Sequence, residues 1–150
     1  MISKEELTMG REKQFKADYT KEVDNNLNIL LEKINVVRAA YAKPMVVSSG
    51  WRPPSINDMT ANAAKASKHM SGLAVDILDK DKSLWAWVLQ NLKLMQDLGL
   101  YLEDKRHTPD WVHFGVGAPR SGKRIFKPTT GPYLDASLWN GIYDEKYDGV

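Results

Sequence analysis

The 150-residue chain contains no cysteine. Disulfides and thiolate metal sites are therefore excluded, and the fold must rest on its core and any bound ion. No stretch approaches the ~18 consecutive apolar residues of a membrane span. Met1-Ile2-Ser3-Lys4-Glu5-Glu6-Leu7 places acids where a secretory leader would be apolar. The expectation is synthesis in the cytoplasm without a signal peptide, and no stable membrane association. A net charge of only +2 gives no argument for a nucleic-acid partner. No repeats, low-complexity tracts or Gly/Ser- or Pro-rich linker separate two cores, so residues 1–150 are expected to form a single, monomeric domain.

What the chain does have is the run Ser67-Lys68-His69-Met70-Ser71-Gly72-Leu73-Ala74-Val75-Asp76, followed later by Asp110-Trp111-Val112-His113. Hydrolytic zinc sites take three protein ligands from His nitrogen and Asp or Glu oxygen and keep a fourth position for water. His69, Asp76 and His113 fit that count. Two atoms on one zinc lie only about 3–4 Å apart, whereas seven extended residues span about 23–25 Å. The chain must turn back between His69 and Asp76, and Ser71-Gly72 is the place for it. Leu73 to Leu78 then reads as a strand, with Leu73, Val75 and Ile77 on one face and Ala74 and Asp76 on the other, away from the core. Around His113, Val112, Phe114 and Val116 alternate with Trp111, His113, Gly115 and Gly117, a second half-buried strand. Pro109 puts Asp110 in the entering turn, where its carboxylate could curl toward the metal as a general base or, alternatively, cap the turn.

These residues resemble the zinc D-Ala-D-Ala carboxypeptidase and L-alanyl-D-glutamate endopeptidase family, which shares its fold with the hedgehog signalling domain. The run Ser-x-His-x-x-Gly-x-Ala-x-Asp is matched at every fixed position, with Asp-x-x-His downstream. Val47-Ser48-Ser49-Gly50-Trp51-Arg52-Pro53 resembles the family's first motif, so the likeness covers roughly residues 44–117. It implies an α+β fold in which a small antiparallel sheet carrying the zinc site packs against helices. It also implies His69, Asp76 and His113 as zinc ligands, Asp110 as the base, and Arg52 as a clamp on substrate carbonyl or carboxylate oxygen. One departure is that many relatives carry Glu at the position of Asp110. Arg52 has a competing structural reading, a salt bridge to Asp58 or Asp76.

Val23, Leu27, Leu30, Ile34, Val37 and Tyr41 form one apolar stripe, predicting a helix over about 20–42 that ends at Pro44 and packs on the core rather than forming a coiled-coil seam. Met45 to Ser49 reads as a strand, stopped by Pro53-Pro54, and residues 53–68 as a long loop. Asp81 to Leu98 reads as one helix capped by Asp81 and closed by Gly99, with Leu84, Trp85, Val88, Leu92 and Met95 inward and Trp87 off the stripe. Leu100 to Leu102 is a short strand, Glu103 to Pro109 a charged turn holding a solvent-exposed His107. Ile125-Phe126 is a further strand and Ala136 to Tyr147 a terminal helix. The basic stretch Arg120 to Lys127 reads as a solvated loop in preference to a wall-polymer contact.

The resemblance implies zinc-assisted amide hydrolysis in peptidoglycan stem peptides by an L-alanyl-D-glutamate-type endopeptidase. The expected setting is a bacteriophage endolysin that reaches the cell wall after release from the cytoplasm. The alternatives are a D-Ala-D-Ala carboxypeptidase or dipeptidase, and a non-catalytic module braced by zinc.

Overall fold

A computed structural model describes residues 1–60, 63, 67–119 and 122–126. The described residues form an α+β fold, with a small mixed sheet packed against helices. The chain divides into two compact units, Met1–Ile77 and Leu78–Val150.

The first unit opens with α1 (Lys4–Thr8) and α2 (Arg11–Gln14). Ser3-Lys4-Glu5-Glu6 is a capping box: the Glu6 amide donates to Ser3 Oγ (3.1 Å) and the Ser3 amide to Glu6 Oε1 (3.0 Å). The long helix α3 (Lys21–Tyr41) starts at Thr20, whose hydroxyl accepts from the Val23 amide. Val23, Leu27, Leu30, Ile34 and Val37 are buried, as the stripe predicts, and each contributes roughly 1.5–3 kcal/mol of burial free energy. The stop comes at Ala42, whose left-handed φ of 60° lets its amide cap the Arg38 carbonyl. Pro44 lies beyond the end already made.

Strand β1 (Val47–Ser49) is shorter than expected and pairs antiparallel with β2 (Ala74–Leu78). Pro53-Pro54 does more than stop a strand. It opens helix α4 (Pro54–Met59), where proline at the first helical position loses no hydrogen bond. The expected 53–68 loop is further shortened by α5 (Lys68–Ser71), capped by Ser67, whose Oγ accepts from the His69 amide. Gly72 makes the return, with φ 81°, and a Cβ there would lie 3.0 Å from the Val23 carbonyl oxygen.

In the second unit the helix expected over 81–98 is two, α6 (Ser83–Gln90) and α7 (Leu92–Leu98). Asn91 breaks it, because its side-chain amide donates to the Trp87 carbonyl (2.7 Å) and competes with the helical ladder. The cap also differs from expectation. Asp79, not Asp81, binds the Leu84 and Trp85 amides (3.0 and 2.9 Å), whereas Asp81 holds Ser83. Leu84, Trp85, Val88, Leu92 and Met95 are all buried, and Gly99 closes α7 with φ 69°.

Strands β3 (Leu100–Glu103) and β4 (Trp111–Val116) pair antiparallel, joined through a 3-10 turn at Lys105–His107. Strand β5 (Ile125–Phe126) runs parallel to β3, so the small sheet expected from the sequence carries one parallel pair and is mixed. The cause is placement: β5 reverses the direction of β4 but docks on the opposite edge of β3. Arg124 secures it by donating to the Leu100 carbonyl (2.7 Å) while its guanidinium covers Tyr101. The proposed helix at Ala136 to Tyr147 lies outside the described residues, as do residues 120, 121 and 127 of the basic stretch; within 122–126 Arg124 and Ile125 are buried, which corrects the reading of that part as a solvated loop.

Gly50 has no room for a side chain. A Cβ would fall 2.0 Å from the Leu7 carbonyl oxygen, which is main chain and cannot swing aside. Gly50→Ala should therefore lower stability by about 1–3 kcal/mol, the range of overpacked interiors, read as a reduced urea midpoint at unchanged slope. An unchanged midpoint would show that α1 moves away at no cost.

Candidate metal centre

His69 is built into the first unit by main-chain contacts. The Arg52 amide donates to the His69 carbonyl (3.0 Å), the Trp51 indole to the Met70 carbonyl (3.0 Å), and the Trp51 amide to the Leu7 carbonyl (2.7 Å). Trp51 is fully buried, its ring edge-on to Tyr19. In return the Gly50 carbonyl oxygen sits 2.9 Å from His69 Nδ1. A carbonyl oxygen only accepts, so Nδ1 carries hydrogen, and Nε2 is the nitrogen that can offer its lone pair to a metal. The outer partner thus fixes the tautomer that a metal ligand requires.

His69 Nε2 faces Asp76 Oδ2 at 3.3 Å. Two electron-pair donors at that separation repel unless a cation is shared between them. The spacing matches what two ligands about 2.0–2.1 Å from a tetrahedral zinc would show. Asp76 reaches this position through an irregular ladder: Val47 pairs with Ile77 and Ser49 with Asp76, so one extra residue of β1 is accommodated there. Strand β2 is buried on both faces from Ala74 to Ile77, not on one face as its alternation predicts. The Asp76 face carries the site instead of open solvent.

His113 lies in β4 between the buried Val112 and Phe114. The ladder pairs Tyr101 with Gly115 and Leu102 with Phe114, which sets Glu103 opposite His113. Glu103 Oε1 is 3.6 Å from His113 Nδ1, and Phe126 meets the imidazole edge-on. Sequence reasoning missed Glu103 by assigning it to a turn. The alternation of Leu100 and Leu102 with Tyr101 and Glu103 was the available signal.

His69, Asp76 and His113 are 3, 7 and 6 % exposed. Each offers one ligand atom, and these atoms all lie within 4.8 Å of one another, the single such group among the described residues. Two imidazoles and one carboxylate form a donor set suited to zinc, with a fourth position left over. His107 is exposed and outside the group, as expected. Arg52 is anchored beside His69 through its own amide, and its guanidinium donates to Ser67 Oγ (3.2 Å) and Ser49 Oγ (3.5 Å). Asp110 occupies the turn before β4 with its side chain exposed and its carbonyl oxygen accepting from the Asp79 amide (2.8 Å).

Among known proteins, the family model of peptidase M15 matches residues 3–114. That span takes in Arg52, His69, Asp76, Asp110 and His113. No curated protein matches the sequence significantly.

Zinc binding to the folded chain stabilises it by about 2.7 kcal/mol at a free concentration one hundred times the dissociation constant. Chelated protein should therefore melt several degrees higher on adding zinc, and Asp76→Asn should lose most of that gain. A zinc response of equal size in Asp76→Asn would remove Asp76 from the ligand set.

Proposed function

The chain belongs to the peptidase M15 family and is a zinc metallopeptidase of peptidoglycan-type substrates, and from that premise we propose that it is an endopeptidase cutting the L-alanyl-D-glutamate or a neighbouring bond of the stem peptide. The observation that carries the proposal is the buried His69, Asp76 and His113 group together with an exposed carboxylate three residues before His113. Residues 1–150 act as one monomeric peptidase domain. The setting we favour is a bacteriophage lysis enzyme that meets the wall after release from the cytoplasm. Among the described residues no helix is long and apolar enough to cross a membrane.

His69 through Nε2, Asp76 and His113 would hold the zinc. Zinc held there would supply Lewis acidity, easing loss of a proton from the attacking water and polarising the scissile carbonyl. Asp110 accepts the proton of the attacking water and delivers it to the departing amine, so that one carboxylate serves first as base and then as acid. Its exposure suits a group that must meet both water and substrate. Arg52 carries a permanent charge on a planar fork, and Ser49 and Ser67 hold that fork in place. It steadies negative charge developing on the substrate oxygen. A zinc brace without catalysis would favour four protein ligands in place of three.

Digestion of purified peptidoglycan, with mass analysis of the products and a chelated control, tests the assignment. Internal stem-peptide cleavage is expected. Release of terminal D-alanine alone would favour the carboxypeptidase, and intact wall in both samples would leave only the non-catalytic module. Asp110→Ala should keep about one zinc per chain while turnover falls about 10²–10⁴-fold, the usual contribution of a general base.

A further inference from the structure

Three consecutive main-chain carbonyls around Asp110 are each held by a different donor. The Pro109 oxygen accepts from Lys82 Nζ (2.6 Å), the Asp110 oxygen from the Asp79 amide (2.8 Å) and the Trp111 oxygen from Lys105 Nζ (3.0 Å). Lys105 also reaches Asp79 Oδ2 at 3.2 Å, and Asp79 is fixed in turn by the Leu84 and Trp85 amides at the start of α6. The turn that carries the exposed carboxylate is thus tied to the first turn of a helix through a buried ion pair.

An ion pair is a costly way to pack an interior, since Lys105 is only 6 % exposed and Asp79 4 %. Burial lowers the affinity of the Lys105 amine for its proton, and the charges of Asp79 and Asp110 act in the opposite direction. A methionine would fill the same volume without that cost. What a methionine lacks is a donor for the Trp111 carbonyl.

We propose that Lys105 and Asp79, assisted by Lys82, are positioning residues that hold the Asp110 turn, so that the carboxylate is delivered to the reacting water in a fixed geometry. This rests on the reading of Asp110 as general base. Misplacement of a catalytic group by about 1 Å can cost up to about 10²-fold in rate, so removal of the clasp should lower kcat far more than KM.

The test is a cycle of the wild-type chain, Lys105→Met, Asp110→Asn and the double variant, all zinc-loaded and assayed on purified peptidoglycan. Lys105→Met should retain about one zinc per chain, keep KM within about twofold and lose about 10–100-fold in kcat. Added to Asp110→Asn it should cost nothing further, because the group being positioned is already gone. In the metal-free protein the Asp79 amide, whose acceptor is the Asp110 carbonyl, should exchange its hydrogen faster in Lys105→Met. Lys82→Met, at an exposed position, provides a milder variant should Lys105→Met fold poorly, with a fall of a few-fold in kcat alone. If Asp110→Asn is impaired but kcat is unchanged in the lysine variants, the clasp is wrong and the base stands. Full activity of Asp110→Asn overturns the base and the clasp's purpose with it. Equal losses from Lys105→Met in both backgrounds would mean that Lys105 acts elsewhere.

Discussion

The contact on which the site depends is the one between the Gly50 carbonyl oxygen and His69 Nδ1. It decides which ring nitrogen carries hydrogen, and the other nitrogen is the one that faces Asp76. The contact is itself held by reciprocal main-chain bonding, since the Arg52 amide binds the His69 carbonyl and the Trp51 indole binds the Met70 carbonyl. A shift of the 50–52 segment would therefore turn the imidazole as well as move Arg52. This explains why the segment is packed so hard. Trp51 is fully buried, Gly50 rests directly on the Leu7 carbonyl, and Arg11 donates to the Trp51 carbonyl oxygen (2.9 Å).

Helix α1, far from the site in sequence, gains a role from this. Its capping box fixes a five-residue helix that would be marginal alone. Asn35 ties the start of the chain to α3 by donating to the Ile2 carbonyl and accepting from the Ile2 amide. Leu7 then presents a carbonyl against which Gly50 and Trp51 are seated. The stability of the N-terminal segment and the orientation of a metal ligand are parts of one chain of contacts.

The grouping of His69, Asp76 and His113 and the long helix were legible in the sequence because each has a pattern with a physical cause. The stripe from Val23 to Val37 has a helical period, and Ser67 to Asp76 has a turn glycine between two ligand types. The break at Asn91 was not legible, because the apolar stripe runs through it unbroken while the Asn91 side chain binds the Trp87 carbonyl and its amide turns to the Val88 carbonyl. The cap by Asp79 was hidden because Asp81 stands nearer the helix start and looks the better candidate. Ser3-Lys4-Glu5-Glu6 could have been read as a capping box and was seen only as acidic residues. The parallel pairing of β5 depends on which edge of β3 receives it, which two residues cannot specify. Glu103 became visible only once β3 and β4 were in register.

A common logic links the ligand histidine and the Asp110 turn. In both, the residue proposed to do chemical work is positioned through main-chain atoms: the Gly50 carbonyl at His69, and the carbonyls of residues 109–111 at Asp110. Main-chain acceptors are fixed by the fold and do not titrate, so a group is held in place through atoms whose own charge does not change. The lysines that grip the Asp110 turn bind its carbonyls, leaving the carboxylate of Asp110 itself to solvent. Such support leaves no residue-type signature at the supported position, which is why a motif can point to candidate ligands and a proposed base while concealing what holds them.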